Sequence, residues 1–283
     1  MADMNGKVVL VTGATNGIGK VAALELAKMG ATVVIVGRNP EKTAQVLAEL
    51  KQQSGSDQID MLVADLSIMA DIRALAQAFR AKYARLDVLL NNAGAYFSER
   101  HESADGFELT WATNHLNYFL LTNLLLDMLK ASAPARIINV SSDAHRSIQR
   151  IEWDNLQGVA RSQAYPLSKL ANVLFTRGLA RRLEGTGVTA NALHPGVVAT
   201  GFGRNARGVM RVIVTLLAPF FKTPEQGAKT LVYLAASPEV QGINGRYFVD
   251  CKVTNPSALA QDDDIARKLW DISAQMVGLT APV

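Results

Sequence analysis

Residues 11–20 read VTGATNGIGK, a glycine-rich turn that follows the apolar run 8–11 directly. Gly13, Gly17 and Gly19 stand where a strand is expected to end and a helix to begin. Small residues there let the backbone turn sharply and approach a pyrophosphate, whose charge is favoured by the free N–H groups of the helix start. The stretch therefore predicts a strand–turn–helix unit that binds a dinucleotide, with a plain tight turn as the alternative.

The rest of the chain alternates short β-branched runs with longer helical segments. The runs are KVVLVTG, TVVIVGR, IDMLVAD, DVLLNNA, RIINVSS, VTANALHPG and GRYFVD. Continuous apolar runs are typical of strands that helices cover on both faces. We therefore predict an α/β fold, a doubly wound parallel sheet of the Rossmann type. Because no linker or repeat divides the sequence, residues 1–283 are expected to form a single domain that closes with a helix at 262–277.

The composition excludes several classes of function. A chain of 283 residues with 49% hydrophobic content can bury a large core. The single cysteine, Cys251, excludes an internal disulfide, and the four widely spaced histidines predict no metal site. The formal net charge of +4 is too small to indicate nucleic-acid binding. A strand begins within a few residues of the N-terminus, so we expect no signal or anchor segment and a cytoplasmic location.

The second strand run ends at Arg38, where a site for NAD(H) usually carries an acidic residue. A guanidinium suits a 2′-phosphate because it offers planar, charged donors. This predicts NADP(H) rather than NAD(H), unless Arg38 is an ordinary solvated side chain. Asp65 ends the third run, where it meets the adenine amine or caps the next helix. Asn91, in the fourth run, is as well suited to fixing the turn as to touching the cofactor.

Tyr165 and Lys169 stand four residues apart, on one face of a helix expected to begin at Tyr165. Pro166 would then lie in the first turn, where a missing N–H breaks no helical hydrogen bond. A phenol titrates near pH 10. The positive charge of Lys169 favours the phenolate, so we expect it to lower the pKa of Tyr165.

Taken together and in order, TGATNGIG, NNAG, RIINVSS, YPLSK and HPGVVAT resemble the short-chain dehydrogenase/reductase family over essentially the whole chain. The segments KTPEQGAKT and IARKLWDISAQMVGL are most similar to its retinol dehydrogenase branch. The resemblance implies an oxidoreductase that passes a hydride between a nicotinamide and a carbonyl carbon. Self-association through the apolar helices 116–130 and 166–183 is a further implication.

The resemblance also implies roles for single residues. Tyr165 would exchange the proton, and Lys169 would tune it and hold the ribose. Ser142 would orient the substrate oxygen, with Ser141 as the competing choice. Asn114 would hold a water beside the lysine, or would be a satisfied polar group of the core. His194 is expected to be structural.

The cofactor site expected from the turn chemistry and the resemblance is extensive. Its residues are Gly13, Thr15, Asn16, Gly17, Ile18, Gly19, Arg38, Asp65, Leu66, Asn92, Ala93, Gly94, Tyr165, Lys169, Pro195, Gly196, Val198 and Thr200. A Pro-Gly turn after a strand is common on its own, so Pro195 and Gly196 are weak signals in isolation.

Residues 143–164 and 199–223 are expected to line the substrate pocket, since an open α/β sheet presents ligands at the carboxyl ends of its strands. The second segment includes the apolar residues 209–221, which predict a lid, a membrane-surface contact or a buried helix. At ten residues, VIVTLLAPFF (212–221) is shorter than the ~20 residues that span a bilayer.

The resemblance to the retinol dehydrogenase branch, together with the apolar character of these residues, implies a lipophilic aldehyde or ketone, retinal-like or similar, as substrate. Steroid-like or acyl-chain ketones are the alternative. A non-catalytic NADP(H)-binding regulator is the rival from another class, and the complete set of Ser142, Tyr165 and Lys169 argues against it.

Overall fold

The apolar runs are buried in one sheet, which the computed structural model describes over residues 3–198 and 221–279. Eight strands lie within these ranges: β1 (Val8–Thr12), β2 (Thr32–Gly37), β3 (Ile59–Val63), β4 (Val88–Asn91), β5 (Ala135–Val140), β6 (Val188–His194), β7 (Tyr247–Val249) and β8 (Lys252–Thr254). Their order is β3-β2-β1-β4-β5-β6-β7-β8. All neighbours are parallel except β7 and β8.

Helices connect these strands. In the described residues they are α1 (Gly17–Lys28), α2 (Pro40–Ser54), α3 (Met69–Lys82), α4 (Leu109–Trp111), α5 (Asn117–Ala131), α6 (Arg161–Arg182), α7 (Pro224–Ala236) and α8 (Asp263–Met276). A π-helical turn, Ala112–Leu116, joins α4 to α5. Short 3₁₀ turns cover Asp143–Ser147, Trp153–Asn155, Pro238–Val240 and Leu259–Gln261.

Alternate side chains of each strand face opposite layers of helices. On β1, Leu10 belongs to a core shared with α3, α5, α6 and α8. Val9 and Val11 belong to the opposite core, with α1, α2 and α7. The predicted doubly wound α/β fold is confirmed. Because the strand order reverses between β1 and β4, their carboxyl ends open a crevice at the edge where such folds bind ligands.

The C-terminal helix α8 packs on its own chain. The Trp270 ring centroid lies 4.9 Å from that of Phe119 on α5 and 5.7 Å from that of Phe175 on α6. Ala266 and Leu269 are buried on the same side of α8. This helix therefore covers apolar parts of α5 and α6, the two helices that the sequence assigned to self-association.

Helix α6 begins earlier than the sequence predicted. It starts at Arg161, so Pro166 is its sixth residue and lies beyond the first turn. A proline there cannot donate to the carbonyl of Ser162, and Ser162 is exposed, so water can satisfy that oxygen. The prediction failed because it used the proline to mark the helix start, whereas one polar turn precedes it. The segment 143–164 thus contains two 3₁₀ turns and the start of α6.

In the portions of the chain that the structure describes, no helix combines the length and the apolar character that crossing a bilayer requires.

Candidate active site

The glycine-rich turn after β1 packs directly against the end of β4. A Cβ atom on Gly13 would lie 2.7 Å from Cα of Ala93, and Gly13 has a φ of +65°. A Cβ on Gly19 would lie 2.3 Å from Nδ2 of Asn92, which donates to the Thr12 carbonyl at 2.8 Å. Side chains at these glycines would force the two strand ends apart. The sequence signal for a close backbone approach therefore has a clear steric basis.

The N-terminus of α1 is open to an anion. Asn16 is its extended N-cap residue and makes no side-chain capping hydrogen bond with the described residues. The first turn, which begins with Gly17 and Ile18, carries no acidic side chain. Thr15 lies beside Gly37 of β2, where a Cβ would come within 2.5 Å of its Cγ2 atom. The free N–H groups and the positive end of the helix fit a pyrophosphate.

Arg38 and Asp65 meet at the ends of β2 and β3. The Arg38 Nη1 atom lies 3.6 Å from Oδ2 of Asp65, and the Arg38 side chain is 76% exposed. The other carboxylate oxygen of Asp65 accepts hydrogen bonds from the backbone N–H and the hydroxyl of Ser67, at 2.9 and 2.7 Å. Asp65 therefore fixes the turn before α3 and lies beside Arg38 at the crevice. Leu66 is buried beside it.

Pro195 and Gly196 follow β6 on the other side of the crevice. Gly196 has a φ of +90°, and the Lys222 side chain lies against it. Val198 forms an isolated parallel bridge with Lys222. A Cβ on Gly227 would lie 2.6 Å from Val198 Cγ2 and 2.8 Å from Ile18 Cγ2, so the end of β6 approaches the glycine-rich turn. Thr200, and residues 199–220 of the second expected substrate segment, lie outside the described residues.

Three expected catalytic side chains come together at the end of β5. Lys169 on α6 is 3% exposed, and its Nζ atom donates to the Val140 carbonyl at 3.2 Å. The same Nζ lies 5.5 Å from the centroid of the Tyr165 ring. Ser142 hydrogen bonds to the Tyr165 phenol. Ser141 points elsewhere, because its hydroxyl donates to the Lys169 backbone carbonyl at 2.7 Å.

The fourth residue, Asn114, lies in the π-helical turn. Its Oδ1 accepts from the Ala95 N–H at 2.8 Å, and its Nδ2 donates to the Ala95 carbonyl at 2.9 Å and to Ser168 Oγ at 3.1 Å. A Cβ on Gly94 would lie 3.1 Å from Asn114 Oδ1 and 3.3 Å from Lys169 Nζ. Asn114 is thus a satisfied buried amide that also borders the lysine.

Comparison with known proteins identifies the family of this chain. The sequence model of the family described as short chain dehydrogenase matches residues 7–209. This chain is a short-chain dehydrogenase. It is 45% identical to mouse (Mus musculus) retinol dehydrogenase 14 and 47% identical to human (Homo sapiens) retinol dehydrogenase 11. These alignments cover 98% and 97% of this chain and 87% and 86% of those proteins.

A solved structure shows the same fold. The Pseudomonas aeruginosa RhlG/NADP active-site complex superposes with a TM-score of 0.72 and 31% identity, over 87% of this chain and 95% of that one. The similarity to the retinol dehydrogenases places this dehydrogenase in their branch, as an enzyme that acts on CH–OH groups. Among its described residues, no group of three or more His, Cys, Asp or Glu side chains is arranged to hold a metal ion.

Burial shifts the pKa values of Tyr165 and Lys169 in this dehydrogenase. It raises the pKa of Tyr165 to about 12, and the hydrogen bond from Ser142 opposes that rise. Burial lowers the pKa of Lys169 to about 7. We expected the lysine charge to lower the tyrosine pKa, but desolvation dominates because it disfavours the charged form of both groups. At neutral pH the phenol is protonated and the lysine is near its titration midpoint.

Sequence reasoning missed three neighbours of this pair. Tyr96, two residues beyond NNAG, places its ring 6.0 Å from that of Tyr165 and is 37% exposed. The buried Tyr118 ring lies 5.9 Å from Lys169 Nζ. Asn172 is buried one helical turn beyond Lys169. Its position at i+3 from the lysine was the available signal.

Two polar residues outside this cluster, Asn91 and His194, contact neighbouring elements of the fold. The buried Asn91 amide donates to Thr122 Oγ1 at 2.9 Å and to Asn139 Oδ1 at 2.8 Å, so it joins β4 to α5 and β5. His194, at the end of β6, has its Nε2 atom 3.8 Å from Asp143 Oδ2. Burial lowers the pKa of His194, which favours its neutral form.

A cavity of about 220 Å³ lies beside the first expected substrate segment. Ile148, Val159 and Leu167 supply apolar lining, and Gln163 supplies polar lining. None of the side chains expected to be catalytic borders it. It is therefore separate from the reacting group.

Proposed function

We propose that this dehydrogenase reduces lipophilic aldehydes or ketones with NADPH and oxidises the corresponding alcohols with NADP+. The observation that carries the proposal is the meeting of Ser142, Tyr165 and Lys169 at the carboxyl end of the sheet. The glycine-rich turn and the open start of α1 lie at the same edge. The residues present therefore fit a dinucleotide, which supplies or accepts the hydride when bound.

The side chains have separate roles in this proposal. The Ser142 hydroxyl donates to the substrate oxygen and holds it beside the Tyr165 phenol, to which Ser142 is hydrogen bonded. Tyr165 donates the proton to that oxygen during reduction and removes it during oxidation. Its raised pKa keeps the phenol protonated at neutral pH, as reduction requires.

Lys169 supports the phenolate that remains after proton donation. Its ammonium is 5.5 Å from the ring centroid, and an opposite charge at that range stabilises the anion. Lys169 also supplies a donor for the cofactor ribose. Asn114, beside Gly94 and the lysine, holds the water through which the proton is replaced.

We further propose that Arg38 selects NADP(H) over NAD(H). Its guanidinium is exposed at the crevice and its ion pair with Asp65 is long, at 3.6 Å. An exposed pair contributes only ~0–1 kcal/mol. A charge-assisted contact with a 2′-phosphate is stronger, so Arg38 can exchange one partner for the other. The two hydrogen bonds that Asp65 keeps with Ser67 limit the repulsion that this carboxylate would exert.

We infer a lipophilic substrate from the aromatic side chain beside Tyr165. Tyr96 presents a partly exposed aromatic edge 6.0 Å from it, beside the point where the substrate carbonyl must lie. We propose residues 143–164 and 199–223 as the walls of the pocket. The names of the retinol dehydrogenase relatives support an extended apolar alcohol or aldehyde.

Location and assembly complete the proposal. We place the enzyme in the cytoplasm, which fractionation of the source cells tests. Any self-association would use surfaces other than the parts of α5 and α6 that α8 covers. Light scattering of the purified chain measures its mass in solution and decides whether it assembles.

The test is cofactor-dependent turnover. Purified protein is given NADPH or NADH with retinal, a medium-chain alkanal or a steroid ketone, and cofactor oxidation is followed by absorbance. We expect turnover of at least one lipophilic carbonyl, faster with NADPH. NADPH binding without turnover of any member of the panel would contradict the substrate class and favour a cofactor-binding regulator.

A further inference from the structure

A buried asparagine shares a hydrogen-bond acceptor with the catalytic lysine. Asn172 lies on α6 and has no exposed surface. Its Nδ2 atom donates to the Val140 carbonyl at 3.2 Å, the same oxygen that accepts from Lys169 Nζ at 3.2 Å. It also donates to the Asn114 carbonyl at 2.9 Å. One amide group thus ties together the end of β5, the π-helical turn and the helix that carries Tyr165 and Lys169.

The oxygen of the Asn172 amide is buried near His115, whose ring also contacts the C-terminal helix. Asn172 Oδ1 and His115 Nδ1 are both buried, and neither has a hydrogen-bond partner of ordinary geometry among the described residues. Burial lowers the pKa of His115 to about 3, and the Asn172 side chain opposes that shift. The other ring nitrogen of His115 lies 2.8 Å from Ser273 Oγ on α8.

Resting on the proposed function, we propose that Asn172 is a positioning residue of the proton-transfer site, whose amide competes with the Lys169 ammonium for the Val140 carbonyl. Each acceptor oxygen has two lone pairs, and the Asn172 N–H occupies one of them. Sharing the oxygen in this way weakens the hold of the carbonyl on the charged lysine.

The groups that face Lys169 carry no charge at neutral pH, so this competition determines how firmly the ammonium is held. On its own helix the nearest titratable group is Tyr165, whose phenol is protonated at neutral pH. From α5 it meets the Tyr118 ring, with a pKa that burial raises. From the π-helical turn it meets Asn114, and from β5 the Val140 carbonyl. Among the described residues, no carboxylate perturbs Lys169.

The experiment compares Asn172→Leu, which is close in size but makes no hydrogen bond, with Thr176→Val. Thr176 is the matched control because it lies one turn further along α6 and donates to the Asn172 backbone carbonyl at 2.7 Å. Its replacement disturbs the same buried polar network and leaves both acceptors of the Asn172 amide in place. Asn172→Ala serves if the leucine variant does not fold.

The first measurement is the ¹³C NMR titration of ligand-free protein labelled at lysine Cε, with the Lys169 signal assigned by its loss in Lys169→Met. We expect the Lys169 midpoint to rise by about one pH unit in Asn172→Leu and to stay unchanged in Thr176→Val. An unchanged midpoint in every folded Asn172 variant would overturn the inference, whether or not stability falls.

The second measurement is turnover of a lipophilic aldehyde with NADPH. We expect kcat to fall roughly tenfold to a hundredfold in Asn172→Leu while the KM for NADPH changes little, because the lysine is displaced rather than removed. A shifted midpoint with an unchanged kcat would overturn the positioning role. If the parent protein turns over no carbonyl, the proposed function fails, whereas the titration still decides whether Asn172 sets the state of Lys169.

Discussion

The Nζ atom of Lys169 lies 5.5 Å from the centre of the Tyr165 ring, one helical turn along α6. Lys169 is 3% exposed, and no carboxylate among the described residues compensates its charge. Burial therefore shifts each group toward its uncharged form. This relationship makes the site sensitive to pH near neutrality.

The ammonium of Lys169 is present below its pKa of about 7 and is lost as the pH rises through that value. We expect kcat/KM for NADPH in carbonyl reduction to be level below neutral pH and to fall above it, because this parameter reports groups of the free enzyme. Lys169→Arg keeps the charge, since arginine titrates above pH ~12, and should remove the fall. A parent profile that stays level through neutral and mildly alkaline pH would contradict this assignment.

Replacing Arg38 with aspartate should reverse the cofactor preference. The aspartate would repel the 2′-phosphate and would accept hydrogen bonds from a ribose 2′-OH. We expect the Kd for NADPH to rise roughly tenfold to a hundredfold and the Kd for NADH to fall, as measured by fluorescence titration. Arg267→Asp, an equal charge change at an exposed site on α8, is the control. Equal NADPH affinity in the parent and Arg38→Asp would disprove the role.

His115 should make the fold sensitive to acid. It is fully buried, and its pKa is lowered to about 3 from the ordinary value of 6.5. Between these values the unfolded chain binds a proton that the folded chain does not, so the free energy of unfolding falls as the pH falls. We expect His115→Gln to reduce this slope by up to ~1.4 kcal/mol per pH unit, measured by urea denaturation. His101→Gln, at an exposed site, should retain the parent slope.

Trp270 should be a main contributor to the docking of α8. Its ring is 3% exposed and packs against Phe119 and Phe175, with the Arg182 guanidinium carbon 3.9 Å from its centroid. We expect Trp270→Ala to cost ~3–5 kcal/mol of unfolding free energy in denaturant titrations. Trp153→Ala removes a less buried ring and should cost clearly less. Equal losses in the two variants would mean that α8 contributes no special stability.

Local signals explain why much of the fold was predictable. The glycine-rich turn and the β-branched runs each carry their information within about ten residues, and the predicted sheet and crevice follow from them. The order of Ser141 and Ser142 in the chain could not decide between them. The structure separates them, because Ser141 bonds to the Lys169 carbonyl while Ser142 meets the Tyr165 phenol.

Features that depend on distant parts of the chain were not predictable. The sequence predicts a closing helix at 262–277, but only tertiary packing places α8 on α5 and α6. The pKa directions of Tyr165 and Lys169 depend on burial, which sequence spacing does not give. Tyr96 joins the site through loop packing, so no motif marks it, whereas Asn172 had a sequence signal in its position at i+3 from Lys169.

Tyr165 moves the proton during carbonyl reduction in the proposed function, and the turnover of a lipophilic aldehyde with NADPH by Tyr165→Phe tests this role. Tyr233→Phe is the control, since its hydroxyl bonds to Glu239 on the surface, away from the crevice. We expect at least a ~100-fold lower kcat in Tyr165→Phe with NADPH affinity retained, and parent-like turnover in the control. Parent-like turnover by Tyr165→Phe would contradict it.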